Sequence, residues 1–350
     1  MLNAEILTEK IEAMRLEGRV AGMAVAVTDR EKTIYNEGFG VETVERPGNG
    51  HGADTMFRIA SMTKIVTSIM LMRLVEEGVL SLDGLVKDYV PELKLSRPEA
   101  LEQLTLKHLL THTGGLPQDG VIPEGSRDEE TIAENVLKIV PTLPIATLPE
   151  EGVSKYANVG FVIAGYMASR MTGKTLSQLL DEYVLKPLGM NQTTLDFYKA
   201  ATWPFSQPHE QLPEGGFEVI HYQRINTYFH AGGGLYSSAP DICKLARFLL
   251  NRGVSDTGER LLKEETIDNM FTKHTIKDIN PGDYYGLGIH IHAMGDRFIY
   301  GHTGNYHPYN TSVFVDPETG LGVVTLMNSD ASQMRFTVPE TIINLMENAE

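Results

Sequence analysis

The sequence predicts an α+β fold in which one antiparallel sheet takes strands from both ends of the chain. Two strand-like runs, VAGMAVAVTD and KTIYNEGFG, lie near the N-terminus, and four more lie near the C-terminus: YYGLGIHIHA, RFIYGH, NTSVFVDP and LGVVTLMNS. Short turns join the last four, which indicates an antiparallel meander. Amphipathic segments fill the middle of the chain. We therefore expect helices that flank the sheet and a separate, mainly helical lobe.

The helices are predicted in order from their periodicity and end signals. Residues 1–17 place apolar residues at helical spacing, and SMTKIVTSIMLMRLVEEGVL is apolar on nearly every side, which is typical of a helix buried inside a domain. After residue 82 the predicted helices are LEQLTLKHLL, DEETIAENVLKIV, NVGFVIAGYMASRMTG and LSQLLDEYVLKPLG. Ser238 with Asp241 predicts a capping box for ICKLARFLLNRG, and a last helix is expected over residues 332–348.

This order of elements predicts two lobes. Residues 1–81 and 232–350 are expected to form an α/β lobe around the sheet, and residues 82–231 a helical lobe. A small-molecule site is expected in the cleft between them, because ligand pockets favour such junctions.

The composition argues against a nucleic acid partner, an internal disulfide and a membrane span. The 350 residues carry a formal net charge of -16, so we expect no nucleic acid partner, because phosphate would be repelled. Cys243 is the single cysteine, which rules out an internal disulfide, and its amphipathic surroundings predict a buried, inert thiol. No apolar run resembles a signal peptide or a membrane span, so the expected location is the cytoplasm.

Ser61 and Lys64 in IASMTKIV are the first candidates for chemistry. Three residues apart at a helix start, they lie on one face, and this is the only S-x-x-K in the chain. A lysine in an otherwise apolar segment is costly unless it is used, and a partly desolvated amine can accept the serine proton. The plainer alternative makes Ser61 an N-cap and Lys64 a surface residue.

Tyr156 and Asn158, in VSKYANVGF, are expected in a loop just before an apolar helix. One interpretation makes Asn158 a helix cap and Tyr156 a loop anchor. The other makes Tyr156 a proton shuttle beside Ser61, with Asn158 donating its amide to a substrate carbonyl. Another candidate, YSS ending at Ser238, has the same shape, but that serine is already assigned to a cap.

His302, Thr303 and Gly304 are predicted at the end of one strand and before another. A substrate lying antiparallel along this edge would take main-chain hydrogen bonds, and the glycine permits close approach. The N–H groups of Asn305 and Ser61 would then form an oxyanion hole.

Two further histidines, His290 and His292, alternate on one predicted strand and therefore face the same side. No carboxylate or cysteine lies near them at a recognised ligand spacing, so we expect no metal and no cofactor.

The order S-x-x-K, Y-x-N and H-T-G resembles the serine β-lactamase and penicillin-binding-protein superfamily. The similar branch contains class C β-lactamases, D-alanyl-D-alanine carboxypeptidases of class B type, D-aminopeptidases and esterases. Family phrases extend the resemblance over nearly the whole chain: LTLKHLLTHTGGLP, VLKPLGMNQTTL, AGGGLYSSAPDICKLARFLL and SVFVDPETGLGVVTLMN. The resemblance implies a β-lactamase/transpeptidase-like fold, and it implies that the first H-T-G, at His112, is structural.

The resemblance also implies a covalent mechanism. Ser61 would form an acyl-enzyme, with Lys64 and Tyr156 sharing the general-base and general-acid duties in an order that the sequence leaves open. Asn158 and Thr303 would position the substrate, and water would release the product without a cofactor.

One departure from the family pattern bears on the substrate. Many members have Lys-Thr-Gly where this chain has His302-Thr303-Gly304, and histidine is mostly neutral at pH 7. This favours small D-amino-acid peptides, amides or esters over penicillins. The alternatives are a class C-type β-lactamase, a penicillin- or D-peptide-binding sensor that does not turn over, and a metal-dependent hydrolase.

Overall fold

The computed structural model describes residues 4–48, 50–119, 136–221, 230–276 and 282–348. The strands are β1 Gly22–Thr28, β2 Thr33–Gly40, β3 Phe57–Arg58, β4 His209–Gln211, β5 Phe217–Val219, β6 Tyr236–Ser237, β7 Thr275–Ile276, β8 Tyr284–Tyr285, β9 His290–Met294, β10 Arg297–Tyr306, β11 Tyr309–Asp316 and β12 Leu321–Met327. The α-helices are α1 Ala4–Glu17, α2 Thr63–Glu76, α3 Val86–Tyr89, α4 Leu106–Leu110, α5 Asn158–Thr172, α6 Leu176–Leu180, α7 Phe197–Ala200, α8 His230–Gly233, α9 Ala239–Leu250, α10 Glu264–Phe271 and α11 Met334–Glu347.

Eight strands form one antiparallel sheet in the order β2-β1-β12-β11-β10-β9-β8-β7. The predicted union of the two chain ends is confirmed, because β1 pairs directly with β12, with Met23 opposite Met327. Every residue of β1 is buried, since helices cover both faces of the sheet. Ala24 and Ala26 face the large core that contains α2 and α9, whereas Val25 faces α1 and α11.

One predicted strand is wrong in its extent. The run YYGLGIHIHA forms two strands, β8 and β9, because Gly288 lies between them at a φ of 72°. A Cβ atom at this position would lie closer than 3.0 Å to Ser68 on α2, so the chain bends around that helix where only glycine fits.

The helical segments follow the prediction with three exceptions. LSQLLDEYVLKPLG is α-helical only over α6 and continues as a π-helix over Asp181–Leu185. LEQLTLKHLL is α-helical only over α4, where Thr105 caps the helix and His108 completes a capping box, and its first two residues end a 3₁₀ helix over Pro98–Glu102. Ser238 precedes α9, but its hydroxyl donates to Gln192 instead of capping, and Asp241 accepts the amides of Gln192 and Thr193. Most of DEETIAENVLKIV lies outside the described residues.

The centre of the molecule is the helix α2, which is buried on nearly every side as its sequence predicts. Cys243 on α9 is also buried, and burial raises the pKa of its thiol to about 12, so the predicted inert thiol agrees with the structure. Within the described residues, no helix is both long and apolar enough to cross a bilayer.

Candidate active site

The loop that carries Ser61 is tightly held at the start of α2. Ser61 lies in a 3₁₀ turn over Ala60–Met62, and Ala60 has a φ of 48°, a conformation that costs a non-glycine residue free energy. Thr63 donates a hydrogen bond of 2.7 Å to the carbonyl of Ala60, and Thr311 on β11 donates one of 3.0 Å to the carbonyl of Ile59. The nucleophile candidate is therefore fixed between the helix and the sheet.

Lys64 contacts Ser61 from the next turn of α2. Its side chain is fully buried, and Nζ lies 3.2 Å from Ser61 Oγ, 2.6 Å from Asn158 Oδ1 and 2.6 Å from the carbonyl oxygen of Gly232. The alternative in which Lys64 is a surface residue is wrong. The amide oxygen of Asn158 and the carbonyl oxygen of Gly232 can only accept hydrogen bonds, so the Lys64 amine donates one N–H to each of them. The same amine also contacts Ser61 Oγ.

Tyr156 completes this group from the loop before α5. Its hydroxyl hydrogen-bonds to Ser61, and its ring centroid lies 4.8 Å from Lys64 Nζ. Burial raises the pKa of the phenol above 10.0, the hydrogen bond from Ser61 lowers it, and the carboxylate of Asp119 raises it again. The phenol therefore keeps its proton at neutral pH.

The third motif lies inside a strand, not at its end as predicted. β10 continues through His302, Thr303 and Gly304 to Tyr306, all paired with β11. A Cβ atom on Gly304 would lie closer than 3.0 Å to both the carbonyl of Ile59 and the hydroxyl of Thr311. Only glycine lets β10 pass this close to the Ser61 loop.

The side chain of His302 is buried in the protein interior. The residue is 1% exposed, and its Nε2 lies 2.7 Å from the hydroxyl of Tyr285. Its Nδ1 donates to the carbonyl of Thr303, which can only accept, so Nε2 accepts the Tyr285 proton in the neutral ring. His302 was predicted among the substrate-binding residues, but its side chain is buried against Tyr285 and the residue does not belong to the described lining of the cavity beside Ser61.

His112, which the sequence led us to regard as structural, packs directly against Tyr156. The two ring centroids are 4.3 Å apart, and a second contact of 4.6 Å joins His112 to Tyr285. The Nδ1 atom of His112 accepts the N–H of Ala157, and the residue has a φ of 60°. The first histidine of each H-T-G motif thus contacts Tyr285.

A cavity of about 290 Å³ opens beside Ser61. Its lining includes the predicted Asn158 and Asn305. It also includes charged and aromatic residues that belong to no motif and were not predicted: Arg58, Asp119, Tyr306 and His307. Asn158 bridges the group, because its Oδ1 accepts from Lys64 while its Nδ2 donates to Asp119 at 2.8 Å.

A sequence profile of the Beta-lactamase family matches residues 7–345. The chain belongs to this family. It is 26% identical over 367 residues to the esterase EstB of Burkholderia gladioli, covering 91% of this chain and 88% of the esterase. It spans only 60% of the protein flp of Staphylococcus aureus, to which it is 22% identical.

Solved structures show the same β-lactamase-family fold. The octameric penicillin-binding protein homologue from Pyrococcus abyssi superimposes with a TM-score of 0.85 at 26% identity, covering 99% of this chain and 78% of the other. The D-amino acid amidase from Ochrobactrum anthropi SV3 superimposes with a TM-score of 0.81 at 21% identity, covering 99% of each chain. The predicted family and α+β fold are confirmed.

A second polar cluster in this β-lactamase-family chain lies behind His302. Contrary to the expectation from sequence, a carboxylate does lie beside the paired histidines: Asp283 accepts from His290 at 2.6 Å and from His292 at 2.9 Å. The other nitrogen of His292 donates to Glu340, so both of its ring nitrogens face carboxylates and carry protons. Burial lowers the pKa of His292, but these carboxylates raise it to about 9. Asp283, His290 and His292 are close enough to share an ion, although the protons on His292 oppose this role.

Proposed function

We propose that this chain is a serine hydrolase that cleaves an amide or ester bond through an acyl-enzyme on Ser61. The observation that carries the proposal is the convergence of Lys64 Nζ and the Tyr156 hydroxyl on the Ser61 hydroxyl at the edge of a cavity. The family match, the esterase relative and the amidase fold support this reaction class.

In the first step Ser61 Oγ attacks the substrate carbonyl carbon and loses its proton. A neutral Lys64 would be suited to accept it, because Nζ lies 3.2 Å from Ser61 Oγ while Asn158 Oδ1 and the Gly232 carbonyl each accept one of its N–H groups. Tyr156, which keeps its proton at neutral pH, is suited to pass a proton to the leaving nitrogen or oxygen as that bond breaks. Lys64 passes the proton that it took from Ser61 on to Tyr156, which restores the neutral amine and the phenol. Water then attacks the acyl ester, so that its hydroxyl goes to the acyl carbon and its proton returns to Ser61 Oγ.

The oxyanion of the tetrahedral intermediate would be held by the N–H groups of Ser61 and Asn305. Both residues line the same cavity, and Gly304 is what brings β10 against the Ser61 loop. Asn158, Thr303 and Asn305 would position the substrate along this edge.

The favoured substrates are small D-amino-acid peptides, amides or esters. Many relatives have lysine at the position of the buried His302, so this position lacks the permanent ammonium group that suits a penicillin carboxylate, and Arg58 is the guanidinium in the described lining of the cavity. The named activities of the esterase and the D-amino acid amidase are compatible with this choice.

A binding protein that is acylated but does not turn over is the second candidate, supported by the penicillin-binding protein homologue among the structural neighbours. Intact-mass spectrometry after mixing with penicillin separates the two. A stable adduct favours the sensor, whereas rapid loss of any adduct favours the hydrolase.

The experiment that tests the hydrolase is a panel of p-nitrophenyl esters, D-aminoacyl amides, D-Ala-D-Ala peptides and nitrocefin. We expect Ser61→Ala to abolish turnover of every compound that the wild type cleaves, and Ser81→Ala, an exposed serine outside the cavity, to retain it. Turnover that survives Ser61→Ala overturns the proposal.

A further inference from the structure

His112 occupies a backbone position that usually belongs to glycine. Helix α4 ends at Leu110, Thr111 is its C-cap, and His112 follows with a φ of 60°. Helices commonly end on a left-handed residue at this place, and glycine adopts that conformation without the steric cost that a side chain brings. A residue that keeps a large side chain here despite the strain points to a function of that side chain.

Both the main chain and the ring of His112 bind the segment that carries Tyr156. The carbonyl oxygen of His112 accepts the N–H of Lys155 at 2.9 Å, and Nδ1 of its ring accepts the N–H of Ala157 at 3.1 Å. These two amides belong to the residues immediately before and after Tyr156. The segment is therefore attached to the end of α4 on both sides of the tyrosine.

The ring of His112 also packs against the phenol itself. Its centroid lies 4.3 Å from that of Tyr156, and the rings of Tyr285 and Phe161 contact the same imidazole at centroid distances of 4.6 Å and 5.6 Å. His112 is 2% exposed, so these contacts leave its ring little room to move. Because the hydroxyl of Tyr156 hydrogen-bonds to Ser61, a shift of the phenol would change the geometry of that bond.

We infer that His112 is a positioning residue, which holds the Tyr156 hydroxyl in its hydrogen bond with Ser61 so that the phenol can transfer protons during the reaction. The inference rests on the proposed function of Ser61. His112 itself does not belong to the described lining of the cavity, so it acts through Tyr156 and not on the substrate. A displacement of about 1 Å in a catalytic group can lower a rate about 100-fold, which makes such support measurable.

The test is a double-mutant cycle between His112→Asn and Tyr156→Phe, with phenyl acetate as the substrate. Asparagine tolerates a positive φ and keeps a side-chain acceptor, but it removes the ring that packs against Tyr156. In the wild-type background we expect His112→Asn to lower kcat/KM by about 10- to 100-fold. In the Tyr156→Phe background, which has no hydroxyl left to position, the same substitution should change kcat/KM by less than about threefold.

A second ester separates positioning from general damage to the site. p-Nitrophenyl acetate forms the same acyl-enzyme as phenyl acetate, but p-nitrophenolate is the better leaving group and depends less on a proton from Tyr156. The loss of kcat/KM in His112→Asn should therefore be at least about threefold smaller on p-nitrophenyl acetate. His274→Asn, the same replacement at a half-buried histidine that hydrogen-bonds to Asn269, should leave both rates unchanged.

Urea unfolding shows whether each variant is folded, and His112→Gln takes the place of His112→Asn in both comparisons if the asparagine variant is not. If Tyr156→Phe leaves no measurable turnover, the comparison of the two esters decides. Unchanged kcat/KM in His112→Asn, equal losses in the two backgrounds or equal losses on the two esters overturn the inference. None of these results touches the proposed function, which fails only if turnover survives Ser61→Ala.

Discussion

Lys64→Met separates a catalytic lysine from a merely buried one. The replacement keeps a long, unbranched side chain in a site that is fully buried, but it removes the amine that contacts Ser61, Asn158 and Gly232. If Lys64 accepts the Ser61 proton, kcat/KM should fall by roughly 10² to 10⁴, the usual contribution of general-base catalysis.

The effect on folding should be small by comparison. The acceptors on Asn158 and Gly232 lose their donor, which costs about 1 to 3 kcal/mol each. Removing a buried amine that must be desolvated offsets part of this loss. We therefore expect the free energy of unfolding to change by about 3 kcal/mol or less, so that the variant folds and is inactive.

The assay is p-nitrophenyl ester turnover alongside urea unfolding, with Lys186→Met, at a largely exposed lysine, as the control. A folded Lys64→Met enzyme within tenfold of wild-type kcat/KM would refute the assignment of Lys64 as the base and leave Tyr156 to take that duty.

Three further predictions follow from the structure. Gly304→Ala should lower ester kcat/KM by at least about tenfold and stability by about 1 to 3 kcal/mol, because the new methyl group collides with backbone; Gly48→Ala, which has open space, should change neither. The carboxylates of Asp283 and Glu340 raise the pKa of His292 to about 9. The stabilisation of the fold by charged His292 should therefore be complete below pH 6.5 and disappear as the pH rises towards 9. Urea unfolding at pH 6, 7.5 and 9 checks this, and a wild type and His292→Gln with the same pH dependence would contradict it. Ester turnover should be unaffected by a chelator, and loss of activity that zinc restores would instead indicate that Asp283 and the histidines hold a functional metal.

The fold could be predicted from the sequence because its signals are local and repeated. The strand periodicity at both chain ends predicts the strands of the sheet, and the apolar segment predicts the buried helix α2. The short turns between the last strands predict their antiparallel pairing. Where the prediction was wrong, a contact with another element was responsible. Gly288 divides a strand because the chain meets Ser68, and Ser238 does not cap α9 because Gln192 accepts its hydroxyl.

The candidate site was predictable only in part, for a related reason. Ser61, Lys64 and Tyr156 belong to spaced motifs, and the structure brings them into contact, although their catalytic roles stay predictions. The direction of the His302 ring depends on Tyr285, which belongs to no motif. Asp119 is a single loop residue whose neighbours in space are distant in sequence, so nothing local marks it.

The most direct test of the account is to trap the acyl-enzyme and locate it. The protein is mixed with a slowly hydrolysed p-nitrophenyl ester, quenched in acid, digested, and mapped by tandem mass spectrometry. We expect one acyl group on the peptide that contains Ser61, formed as fast as p-nitrophenol is released and absent from Ser61→Ala. An acyl group on another residue, or steady turnover with no covalent adduct, would contradict it.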